Sequence, residues 1–141
     1  MARILVADDY PTMCRLCQVN LERAGHTVTA VLNGNVAFEI LQTLPYDLVI
    51  SDMIMPVCDG LQLYAKMRGD ASTKNIPFLL FAVSYNHHTP EQKQALNAAL
   101  LTRHAPMHRA YFLVKPFNPS RMVLLVTQIL NGAVPDGAFY S

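Results

Sequence analysis

The sequence predicts an α/β fold, a doubly wound parallel sheet of five strands with helices on both faces. Two observations predict it. Five short, mostly apolar runs alternate with five segments whose apolar residues recur at helical spacing. Three of those runs lead directly into charged residues, as strands do at the edge of an open parallel sheet where ligands bind.

At 141 residues the chain fits one domain with a full hydrophobic core. A hydrophobic fraction of 52% against 15% charged residues excludes intrinsic disorder. The net charge of +1 offers nothing to a nucleic acid or an anionic membrane surface. The first apolar run, Ile4 to Ala7, is too short for a signal peptide, and no later run could span a bilayer. Three cysteines, an odd number, argue against a disulfide framework. The expectation is a soluble, cytoplasmic single domain.

Arg3 to Ala7 reads as the first strand and is followed at once by Asp8-Asp9. Pro11 suits the first position of a helix, where its missing N–H costs nothing. Met13, Cys17, Leu21 and Ala24 continue that helix to a stop at Gly25. Thr27 to Leu32 is the second strand, and Val36, Ile40 and Leu41 mark a helix that ends before Pro45. Leu48 to Ser51 form a buried third strand that presents Asp52 on a loop, with Met55-Pro56 and Asp59-Gly60 leading into the next helix. Leu61, Tyr64, Ala65 and Arg68 carry this helix towards Gly69-Asp70. Ile76 to Val83 is a fully apolar fourth strand. Thr89-Pro90-Glu91-Gln92 has the form of a capping box and predicts a helix to about Arg103. Tyr111 to Val114 is the fifth strand, ending in Lys115-Pro116-Phe117. Asn118 or Ser120 caps the last helix, whose core face is expected to be Met122, Val126, Ile129 and Leu130. The domain is expected to span residues 1–132, with 133–141 a loose tail.

The chemistry gathers at strand ends. With the first and third strands adjacent, Asp8, Asp9, Asp52 and Lys115 reach one edge of the sheet. Three clustered carboxylates repel one another unless a cation neutralises them. Oxygen ligands without His or Cys favour Mg²⁺ or Mn²⁺ over zinc. A lysine beside such a site suits a phosphoryl oxygen. A magnesium-dependent phosphoryl site follows.

Three motifs in order carry a resemblance. ILVADDYPTM, ISDMIMPVCDG and LVKPF together resemble the receiver domain of two-component response regulators, especially the small single-domain chemotaxis type. The resemblance implies a flavodoxin-like strand order 2-1-3-4-5. It implies that Asp52 accepts a phosphoryl group from a phosphohistidine on a sensor histidine kinase, or exchanges it with a histidine phosphotransfer protein. Asp9 then corresponds to the direct metal ligand, Asp8 acts mainly through water, and the Ile54 carbonyl is a further ligand. Lys115 pairs with the acceptor and later with the phosphoryl group. Pro116 corresponds to a cis-peptide proline and Phe112 to an aromatic switch position. A downstream protein is expected on the face between the fourth and fifth helices. The protein is then a signalling module with no separate turnover substrate. The alternative is a receiver-like adaptor that binds partners without phosphorylation.

Two departures qualify the resemblance. The family places Thr or Ser at the end of the fourth strand, and an ungapped alignment puts Ala82 there, with Ser84 two residues on as a partial substitute. The phosphorylation-linked response is therefore expected to be weak or rewired. The segment between Ala82 and Lys115 is also longer than usual and holds His87, His88, His104 and His108, which suggests an altered partner surface more than a zinc site. Cys14 and Cys17 form a C-x-x-C inside a helix, with Cys17 expected in the core and Cys14 near the surface. Ile54 places an apolar side chain where it could restrict attacking water, so slow loss of phosphate is expected. Val123, Leu124 and Thr127 lie off the core face of the last helix and suggest a homodimer. A phosphohydrolase would want a carboxylate where Ile54 stands, and Asp8-Asp9-Tyr10 replaces the glycine-rich turn of a dinucleotide enzyme.

Overall fold

A computed structural model of the chain describes residues 1–83 and 108–140. In chain order these residues form β1 (Arg3–Ala7), α1 (Pro11–Arg23), β2 (Thr27–Val31), α2 (Gly34–Leu41), β3 (Leu48–Asp52) and α3 (Gly60–Arg68). They continue with β4 (Phe78–Val83), β5 (Ala110–Lys115), α4 (Pro119–Leu130) and β6 (Phe139–Tyr140). The helix expected from Thr89 to about Arg103 lies outside the described residues, as do Ser84, His87, His88 and His104.

The strands lie in the order β2-β1-β3-β4-β5-β6 and every pair is parallel. The first five strands thus take the expected 2-1-3-4-5 order. Strand alternation sends side chains to two faces in turn. Leu5, Ala7, Val49, Leu80 and Phe112 pack with Ala37 and Leu41 of α2 and Leu63, Tyr64 and Met67 of α3. Ile4, Val6, Ile50, Phe81 and Leu113 pack on the other side with Cys17 and Leu21 of α1 and Met122, Val126 and Ile129 of α4. Both faces being covered, β3 is buried at every residue, which is why its sequence is an unbroken apolar run up to Ser51 and Asp52.

Helix faces differ from the expected ones by about a residue, because the sheet selects among neighbouring apolar positions. In α2 the buried positions are Gly34, Ala37 and Leu41, whereas Val36 is exposed. In α3 they are Gly60, Leu63, Tyr64 and Met67. Cys14 is buried and not near the surface: its thiol donates to the Asp8 carbonyl at 3.2 Å, under the loop that follows β1.

The tail is the largest difference. Residues 133–140 are not loose. Val134 is buried against the core on the α1/α4 side, and Phe139–Tyr140 add a sixth parallel strand outside β5. The outer edge of β5 offers backbone groups that an extended tail can bond. No periodicity signals a two-residue strand, so the sequence alone does not reveal it.

Candidate functional site

The C-terminal ends of β1, β3 and β5 meet at one edge of the sheet. Asp8 follows β1 and is fully buried; its N–H donates to the Val31 carbonyl at 3.0 Å, extending the β1–β2 pairing. Its Oδ1 accepts from the Tyr10 N–H at 2.9 Å, while Oδ2 is buried without a hydrogen-bond partner among the described residues. Asp9 is exposed at the rim. Asp52 ends β3 and is 9% exposed, and its Oδ1 accepts from the Met53 N–H at 3.0 Å and from Lys115 Nζ at 2.9 Å. Lys115 ends β5 in register with Val83, and its Nζ lies 3.9 Å from Asp8 Oδ2.

The Lys115 ammonium therefore faces two carboxylates, Asp8 and Asp52, and with Asp9 one oxygen of each of the three lies within 4.8 Å of the others. Burial is the main cause that raises the Asp8 carboxyl from 3.8 to about 6. The Tyr10 N–H and Lys115 oppose that rise, and Asp52 and Asp9 add to it. A buried, unpaired anionic oxygen is costly unless a cation compensates it. The donor set is all oxygen, and Asp8 Oδ2 lacks a partner, so the residues fit a hard divalent cation such as Mg²⁺ or Mn²⁺.

The loop after Asp52 is held on three sides. Asp59 caps α3 by accepting from the Gln62 N–H at 2.8 Å, and Gln62 Oε1 accepts from the Asp59 N–H at 2.9 Å. The Gly60 N–H donates to the Met53 carbonyl at 3.0 Å. A β-carbon on Gly60 would press on the Asp52 carbonyl oxygen and come within 2.6 Å of Leu80 Cδ1. The Gly34 N–H donates to the Cys58 carbonyl at 3.2 Å, tying α2 to the same loop. Val57 sits in the left-handed region at φ 71°, unfavourable for a β-branched residue. The Asp-Gly pair marks this loop in the sequence; the close approaches of Gly34 and Gly60 have no sequence signal of their own.

Ile54 is partly exposed, at 39%, two residues after Asp52. The Lys115–Pro116 peptide is cis. Ala82 is buried opposite Val114, and its methyl group offers no hydrogen-bond donor. Ser84 lies outside the described residues. Phe112 is fully buried on the α2/α3 face, in register with Leu80. The three cysteines are free and buried, and burial chiefly pushes the Cys17 thiol up to about 12.

Residues 4–127 match the family model described as the response regulator receiver domain. The chain is 44% identical over 63 residues to the response regulator receiver protein CpdR of Brucella abortus, covering 45% of this chain and 52% of that protein. Across the first three relatives matched, the alignment spans 33%, 52% and 66% of their own lengths. Among solved structures, the receiver domain of a signal transduction histidine kinase from Syntrophus aciditrophicus superposes with a TM-score of 0.78 at 26% identity, covering 94% of this chain and 92% of that one. The chemotaxis protein CheY4 of Vibrio cholerae gives 0.72 at 28% identity, covering 92% and 98%. An acidic pocket facing a lysine at the strand ends of a 2-1-3-4-5 parallel sheet, with a family match over most of the sequence, leads to one conclusion: the chain belongs to the response regulator receiver domain family.

Proposed function

We propose that this receiver domain accepts a phosphoryl group on Asp52 from a phosphohistidine, in cytoplasmic phosphorelay signalling. The observation that carries the reading is the Lys115 Nζ–Asp52 Oδ1 pair at 2.9 Å beside the unsatisfied Asp8 oxygen. Asp52 is the nucleophile: a carboxylate oxygen attacks phosphorus, the histidine nitrogen leaves, and an acyl phosphate results. Lys115 holds the acceptor oxygen before transfer and serves as a point charge for the phosphoryl oxygens after it. Asp8, Asp9, Asp52 and the Ile54 carbonyl would hold Mg²⁺, which supplies charge neutralisation at the transferring group. The protein's own contribution is positioning, which is most of what phosphoryl transfer requires.

The donor is a sensor histidine kinase or a histidine phosphotransfer protein. The downstream partner takes the face between the helix expected from Thr89 to about Arg103 and the last helix. Ala82 bears on the response and not on acceptance, because it removes a hydroxyl that would hold the phosphoryl oxygen while leaving Asp52 and Lys115 in place. The switch through Phe112 is accordingly weak or rewired.

Incubation with acetyl phosphate and Mg²⁺, followed by intact-mass measurement, tests the reading. The wild-type chain gains one phosphoryl group, and Asp52→Asn and metal-free samples gain none. An unmodified wild-type chain that still binds a partner would establish the adaptor instead.

A further inference from the structure

The third strand carries a buried hydroxyl that the acceptor chemistry leaves unused. Leu48, Val49 and Ile50 are apolar and fully buried, and Ser51, equally buried, interrupts the run one residue before Asp52. A hydroxyl taken out of water costs free energy unless it is hydrogen-bonded. An alanine or valine would fill an interior strand position without that cost. The Ser51 hydroxyl has a partner: its Oγ donates to the Asp52 carbonyl oxygen at 2.8 Å.

That carbonyl lies where the sheet stops supporting β3. The β1 ladder ends with Ala7 opposite Ser51, because the chain leaves the sheet at Asp8. Asp52 is therefore one residue beyond the last pair on the β1 side. On its other side it faces Phe81, whose carbonyl accepts the Met53 N–H at 3.1 Å. Strand alternation puts Ser51 on the same face as Val49, towards α2 and α3. From that face the hydroxyl reaches the Asp52 carbonyl, which is also the atom that a β-carbon on Gly60 would press upon.

A peptide unit is planar, so fixing its carbonyl fixes its N–H. The unit joining Asp52 to Met53 has its carbonyl held by Ser51, and its N–H donates to Asp52 Oδ1 at 3.0 Å. Oδ1 is also the oxygen that Lys115 Nζ holds at 2.9 Å. Rotation of this peptide would draw the Met53 N–H off Oδ1 and loosen the carboxylate. Phosphoryl transfer depends on the alignment of the attacking oxygen, and small misplacements cost large factors in rate.

On the reading of Asp52 as the phosphoacceptor, we propose that Ser51 is a positioning residue for phosphoryl acceptance. Its hydroxyl sets the plane of the Asp52–Met53 peptide, and the N–H of that peptide sets the rotation of the attacking carboxylate. Ser51 acts only through this peptide.

Full-length Ser51→Ala, Ser51→Thr and wild-type chains, each first shown to be folded by circular dichroism, test the role. Two quantities are read: the rate of mass gain with acetyl phosphate and Mg²⁺, and amide exchange at Met53 relative to Ile50 without any phosphodonor. Ser51→Ala is expected to slow phosphorylation about tenfold and to speed Met53 exchange about fivefold over Ile50. Ser51→Thr keeps the hydroxyl and restores both. A role in packing alone would raise exchange at Ile50 and Met53 together. A folded Ser51→Ala variant that keeps the wild-type rate overturns the inference, as does one that slows without a selective change at Met53. A folded Ser51→Thr variant that behaves like Ser51→Ala also overturns it. Should either variant fail to fold, Ser51→Cys, similar in size and a weaker donor, is read instead, and a rate and Met53 exchange equal to the wild type's overturn the inference. A wild-type chain that takes up no phosphoryl group refutes the acceptor reading and this role with it, whereas a phosphorylated wild type that Ser51→Ala equals refutes this role alone.

Discussion

Asp8 shows how a single residue can be held in a state that its surroundings oppose. Its carboxylate is fully buried, one oxygen accepts the Tyr10 N–H, and the other has no hydrogen-bond partner among the described residues, with Asp52 and Asp9 nearby. Asp8→Asn removes the buried charge and its repulsions while preserving shape. The metal-free variant is expected to be more stable than the wild type by about 1–3 kcal/mol near neutral pH, scaled to a carboxyl raised from 3.8 to about 6. The same change should abolish most of the stabilisation that Mg²⁺ gives the wild type. Urea unfolding with and without Mg²⁺ checks both, and a destabilised metal-free variant would contradict the first. The sequence displays Asp8, Asp9, Asp52 and Lys115 as candidates because each follows an apolar run. It does not display which carboxylate oxygen goes unpaired, since that depends on where Tyr10 and Lys115 arrive in space.

At the scale of the element, the start of α3 positions Asp52 through backbone contacts. Two changes there separate helix stability from loop geometry. Asp59→Ala removes the carboxylate half of the capping box and is expected to cost about 1 kcal/mol. Gly60→Ala adds a methyl group against the Asp52 carbonyl and Leu80, and is expected to cost about 1–3 kcal/mol and to slow phosphorylation as well. Denaturation midpoints and acetyl phosphate kinetics for the two variants distinguish them: equal phosphorylation rates would show that Gly60 serves only the helix. The elements themselves were largely legible, through Pro11, Gly25, Asn33-Gly34, Asp59-Gly60 and Gly132. Their buried faces were less so, because Val36 and Ala37 are both apolar and only the sheet decides which one faces it.

At the scale of the molecule, the edge of the sheet opposite the acidic pocket is also fastened by a titratable group. The His26 Nδ1 accepts the Ala2 N–H at 3.1 Å, a bond that the neutral ring alone can make. Burial chiefly, with the positive chain terminus, lowers its pKa from 6.5. Between the lowered folded value and the unfolded one, the unfolded chain binds more protons, so stability falls as pH falls. His26 therefore contributes fully above about pH 6.5 and loses its contribution below it. In urea titrations at about pH 7.5 and about pH 5.5, His26→Gln should show a smaller loss of stability on acidification than the wild type. An unchanged pH response would remove His26 as its source.

The sequence by itself determined the parallel α/β architecture and the four residues of the acidic site, while the strand order came from the resemblance to the receiver family. Those features are written in local pattern: apolar runs, helix stops, and charges placed directly after strands. Tertiary structure alone decided the unpaired oxygen of Asp8, the close approach of Gly60 to Asp52, the burial of Cys14 beneath the Asp8 loop, and the strand made from the tail. Each of these is a contact that the path of the chain in space creates, or a backbone group meeting a strand edge. Neither leaves a periodicity in the sequence, because the partner that gives the residue its role is supplied by folding.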